Sequence, residues 1–78
     1  MYSHITADQF TIVDGSVIHL PTGAEFTPTS RSADSMTVWT GMIERTTSDG
    51  RIFKYAEVLT AARSYWHGFI ATRFPEVA

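Results

Sequence analysis

Two Asp-Gly dipeptides, Asp14-Gly15 and Asp49-Gly50, each stand between runs rich in β-branched and aromatic residues. No other feature constrains the fold as strongly. A two-residue hairpin loop of type I′ needs positive φ at both central positions, and Asp-Gly accepts that with little strain. Residues 10–13 and 17–20 therefore read as a first hairpin. Pro21-Thr22-Gly23 punctuates the chain again, and 24–27 reads as a third, short strand. Pro28 places the end of that strand at an edge or terminus. A second hairpin is predicted from 36–44 and 51–55 around Asp49-Gly50. Gly41 inside its first strand points to a bulge or a close backbone approach.

The period then changes. From 56 to about 73, Val58, Leu59, Ala62, Tyr65, Trp66, Phe69 and Ile70 recur at helical spacing. Glu57 in the first turn and Arg73 in the last favour the helix dipole, and Pro75 stops the helix. The expected fold is α+β: a small antiparallel sheet of four to five strands with one C-terminal helix packed on one face. The 78 residues form a single domain, 1–78. Within it, 1–8 reads as a partly mobile N-terminus, 27–35 as a polar Ser/Thr loop and 56–73 as the helix. In the loop, Ser30 or Ser32 beside Arg31 is a conceivable phosphosite, against the plainer reading of a solvated loop.

A chain of this length buries a small core, and without cysteine it has neither disulfide nor thiolate metal site. Small unstapled domains often gain stability by oligomerising. The net charge of −2 suits neither a strongly basic nucleic-acid binder nor an acidic mimic. No signal peptide and no apolar run of about 20 residues is visible, so a cytoplasmic protein without membrane contact is the expectation.

One helix covers only one face of a sheet. Alternation along the second hairpin places Met42 and Val38 with Phe53 and Tyr55, and Trp39, Ile43 and Ile52 on the opposite face. Both faces then carry large apolar groups, where a sheet with one solvated face should alternate cleanly. Either the N-terminal hairpin folds over the second face, or that face meets another chain. The helix offers a second surface. Opposite its aromatic stripe, Glu57, Ala61, Ser64, Gly68 and Ala71 form a line of mostly small residues that would let a backbone come close. Trp39, Ile43, Ile52, Ala61, Ser64, Gly68 and Ala71 are therefore the candidate partner-binding residues. An idle surface of small residues is the competing reading of the helix line.

No catalytic constellation emerges. Asp14, Ser16 and His19 are close in sequence, but Asp14 belongs to a turn, and Ser16 and His19 are not placed to act together. His4, His19 and His67 have no metal-ligand spacing, and no phosphate-cradling glycine loop is present. No cofactor is expected. The basic residues Arg45, Arg51 and Lys54 lie near Trp39, Phe53 and Tyr55, a combination that can stack single-stranded bases. The leading expectation is a non-enzymatic interaction or regulatory module, a homodimer that also binds an unidentified protein through apolar sheet or helix surface. The alternative is a nucleic-acid-binding module using Arg45, Arg51 and Lys54.

Overall fold

The computed structural model describes residues 1–29 and 35–73. The phosphosite candidates Ser30 and Ser32, with Arg31, and the expected helix stop Pro75 lie outside the described residues. The chain forms β1 (Phe10–Val13), β2 (Ser16–His19), β3 (Ala24–Pro28), β4 (Met36–Trp39) and α1 (Tyr55–Arg73), with one turn of 3-10 helix at Ala7–Gln9 before β1. The four strands make an antiparallel meander in sequence order, β1-β2-β3-β4. Asp14 and Gly15 have φ of 51° and 79°, as a type I′ turn requires. The N-terminal hairpin thus extends the sheet rather than folding over its second face.

The register sorts the side chains into two faces. Phe10, His19 and Ala24 form one inner row, and Ile12, Val17, Phe26 and Val38 the next. Against these rows α1 packs Val58 and Ala62, both fully buried, with Leu59, Tyr65 and Trp66 half-buried around them. Pro28 ends β3 after the last residue opposite β2, where a strand loses nothing by lacking an N–H.

The second Asp-Gly behaves differently from the first. β4 stops at Trp39, and 51–54 is not a strand. The cause is local. Gly41 has φ of 55°, and a Cβ placed on it would lie 2.4 Å from the Thr22 carbonyl oxygen and 3.0 Å from the Ala24 nitrogen. The chain crosses the β2–β3 turn there, and the Met42 N–H donates to the Thr22 carbonyl at 2.8 Å. Glu44, at φ 64°, turns the backbone a second time. Among the described residues two backbone bonds join the two arms: Glu44 N–H to Phe53 carbonyl at 2.9 Å and Thr47 N–H to Arg51 carbonyl at 2.7 Å. The sheet therefore has four strands, and the loop folds Ile43 and Phe53 into the core. The close approach expected at Gly41 is present; the long strand through it is not.

Candidate interaction surface

The outer face of the sheet carries two rows. Thr11, Ile18, Glu25 and Trp39 lie side by side across all four strands. Val13 pairs with Ser16 and Thr27 with Thr37, and the hydroxyls of Ser16 and Thr27 share a hydrogen bond of 2.7 Å. Trp39 is 64% exposed and Val13 52%. Of the three residues assigned by alternation to this face, only Trp39 stands on it. Ile43 is a core residue, 5% exposed. Ile52 is half-buried in the segment before α1, where its carbonyl accepts from the Ser3 N–H at 2.7 Å. Alternation carries a face only as far as the strand runs, and β4 ends at Trp39.

On α1, Glu57, Ser64, Gly68 and Ala71 are exposed and Ala61 is half-buried. Part of this line has an occupant within the chain. Ile5, from the N-terminal segment, packs on the core. Ile5 and Ala61 stand between two clefts: one of about 380 Å³ reaching Phe10, Ser64 and Tyr65, the other of about 490 Å³ reaching His4, Glu57 and Thr60. The chain's own N-terminal segment thus runs along this end of the line, which helical periodicity alone could not reveal. At Gly68 a Cβ would meet no described atom within 4 Å. Gly68→Ala should therefore stabilise the helix by roughly 0.5–1 kcal/mol. Thermal unfolding checks this: a lower melting temperature would mean that Gly68 is held in a tighter contact than the chain itself provides.

The N-terminal segment is fastened as well as packed. The Tyr2 hydroxyl donates to Glu44 Oε1 at 2.7 Å, while Glu44 Oε2 accepts the N–H of Tyr55, the first residue of α1, at 2.8 Å. These bonds, that from Tyr55 first, hold the Glu44 carboxyl below its usual pKa and push the Tyr2 hydroxyl up. One carboxylate thus ties the N-terminus to the start of the helix.

His19 is the most buried polar side chain of the sheet. It is fully enclosed, with ring centroids 4.9 Å from Phe10 and 4.8 Å from Phe53. Nδ1 lies 2.8 Å from the Thr22 hydroxyl and Nε2 lies 2.9 Å from Gln9 Oε1. Gln9 uses its amide nitrogen on the His4 carbonyl at 3.1 Å, so its oxygen must accept and His19 Nε2 must carry the proton. The neutral ring then accepts the Thr22 hydroxyl proton at Nδ1. Burial, reinforced by nearby Arg51, lowers the His19 pKa to about 4. Both nitrogens are engaged in holding Gln9 and Thr22. Ser16 faces the opposite side of the sheet, bonded to Thr27, so Asp14, Ser16 and His19 do not converge.

The basic cluster is also engaged. Arg51 bonds Asp49 through Nε at 2.8 Å and through its terminal nitrogen at 2.7 Å, and lies 5.3 Å over the Phe53 ring. Arg51 first, then the Thr47 hydroxyl, holds the Asp49 carboxyl down at about 2. Lys54 lies 5.9 Å over the Tyr2 ring. Arg45 is exposed. Phe53 is fully buried, so it offers no face for a base to stack on. Among the described residues no group of three His, Cys, Asp or Glu side chains could hold a metal ion, and no helix is long and apolar enough to cross a membrane.

These features define a small α+β domain: a four-stranded antiparallel meander with one helix on its inner face and a tryptophan standing on its outer face. No family model matches the chain, and neither the curated proteins nor the solved structures yield a match.

Proposed function

We propose that this protein is a non-enzymatic protein-interaction module, homodimeric, whose contact surface is the outer sheet face around Trp39. One observation carries the reading. The largest side chain on that face is 64% exposed at the end of an edge strand, paired with Glu25 and in one row with Ile18, with no second layer of described chain over it. A tryptophan presents about 150–250 Å² of surface. Covering the exposed part on binding is worth about 3 kcal/mol at 25 cal/mol per Å². Tryptophan, with tyrosine and arginine, is also enriched at the energetic centres of protein interfaces. The hydroxyls of Thr11, Ser16, Thr27 and Thr37 supply a polar surround.

Trp39→Ser tests this. The substitution removes the outer side chain and leaves the core untouched, so the circular dichroism spectrum and melting temperature should hardly move. Self-association, followed by sedimentation across a concentration series, should weaken at least tenfold. Unchanged association would place the contact elsewhere, with Gly68→Leu then the variant that tests the helix line. Nucleic-acid binding through Arg45, Arg51 and Lys54 has less support, because Arg51 is paired with Asp49 and the aromatic ring beneath it is buried. A salt-dependent shift with a mixed single-stranded oligonucleotide would restore that alternative.

A further inference from the structure

Exposed Trp39 belongs to a strand whose outer edge is open. β4 is one border of the sheet. The Thr29 N–H bonds the Ser35 carbonyl at 3.0 Å, which sets the ladder between β3 and β4. Hydrogen-bonded pairs recur every second residue, so Thr27–Thr37 and Glu25–Trp39 are bonded pairs. Met36 and Val38 consequently direct their N–H and C=O groups away from β3. Among the described residues, no backbone hydrogen bond reaches them from the outer side.

Soluble proteins blunt such edges with charge, proline or a bulge. Met36–Trp39 reads Met-Thr-Val-Trp and has none of these. The opposite border differs where it begins: the outward-facing Phe10 N–H is taken by the Ala7 carbonyl of the 3-10 turn. Of the two borders, β4 is the one that ends in the exposed tryptophan.

We propose that β4 is a docking edge for a second copy of this chain, which adds its own β4 antiparallel and joins the two sheets into one. The inference rests on the homodimer reading above and specifies its geometry. The chemistry an edge selects is an extended strand, and self-pairing also satisfies the parity of the faces. A two-fold axis through Val38 sets Val38 against its own copy and Thr37 against Trp39 of the second copy. Residues facing each other across the axis then lie on the same side, inner with inner and outer with outer. An uncharged strand meets its copy without like-charge repulsion. Each Trp39 then stands against Thr37 and, diagonally, Trp39 of the second copy, so the joined edge covers part of the outer surface around Trp39. A four-residue strand and one tryptophan bury well under the roughly 800 Å² per partner of a tight complex. The pair is therefore a weak, exchanging one.

Sedimentation equilibrium of the full chain up to about 1 mM, with amide hydrogen exchange at both ends of the range, tests the edge. The Val38 and Met36 amides should gain protection with concentration, while Thr37 and Trp39, already bonded to β3, should not. Val38→Pro removes an N–H that the fold does not use, and Thr37→Lys puts like charges at diagonal positions across the axis. Each should weaken pairing at least tenfold. If Val38→Pro fails to fold, Thr37→Lys decides alone, since Thr37 is exposed. Pairing that survives in folded variants, with no new protection at Val38, overturns the edge geometry alone. A wild-type chain monomeric throughout the range overturns the homodimer reading with it.

Discussion

Gly41→Ala should cost about 3–5 kcal/mol, enough to unfold much of the population of a domain this size. The cost has two sources. A φ of 55° already disfavours any L side chain by about 1–2 kcal/mol. The added Cβ also meets backbone, not a side chain that can swing away: the Thr22 carbonyl at 2.4 Å, with the Ala24 nitrogen and Gly23 carbonyl carbon at 3.0 Å. Relief means separating the loop after β4 from the β2–β3 turn. That would break the bond from the Met42 N–H to the Thr22 carbonyl and withdraw Ile43 from the core. Thr22 is also the partner of His19, so the damage spreads to the centre of the sheet. Urea unfolding of the variant is the measurement. A loss below 1 kcal/mol would mean that the crossing is looser than described. By contrast, the other glycines at positive φ, Gly15, Gly23 and Gly50, leave open space around a Cβ, so strain there comes from φ alone.

Acid should destabilise the domain over a defined window. His19 titrates at about 4 when folded, against 6.5 in an unfolded chain. Between these values the unfolded state binds a proton that the native state refuses, so stability falls as pH falls. The contribution is fully present above about 6.5 and fully lost below about 4, and the gap amounts to about 3 kcal/mol. Burial between Phe10 and Phe53 is the main cause, and the Arg51 charge adds to it. Glu44 acts in the same direction at lower pH, because its bonds to the Tyr55 N–H and the Tyr2 hydroxyl favour the carboxylate. Denaturation midpoints at pH 7, 5.5 and 4.5 should fall in that order. A profile flat from 7 to 4.5 would contradict the neutral, enclosed ring. The ring's nitrogen shifts should also report the tautomer protonated at Nε2.

Much of the fold was legible in local chemistry. Asp14-Gly15 declares its turn, and the change from period two to period 3.6 declares the helix. Gly41 signals a close approach because only glycine tolerates one. What the sequence did not disclose is where a strand stops for tertiary reasons. Residues 36–44 are β-prone throughout, yet the crossing over Thr22 ends β4 at Trp39. Beyond that point the assignments of Ile43 and Ile52 failed, Ile43 going inward and Ile52 to a connecting segment, while Phe53 shares the core side with Val38.

The candidate surface was legible in part for the same reason. Trp39 lies within the true strand, and alternation placed it correctly on the outer face. The small-residue line of α1 was visible, but its use near Ala61 depends on Ile5, more than fifty residues away and unmarked by any local pattern. The environment of His19 was similarly hidden. Nothing local to His19 marks its enclosure, which Phe53 from the distant loop completes by packing edge-on against its ring.

Sedimentation equilibrium of the wild-type chain beside Trp39→Ser tests the central claim most directly. The expected result is a reversible monomer–dimer equilibrium for the wild type that is shifted at least tenfold toward monomer in the variant, with both equally folded. A wild-type chain that stays monomeric to about 1 mM, or a variant that associates as the wild type does, would contradict it.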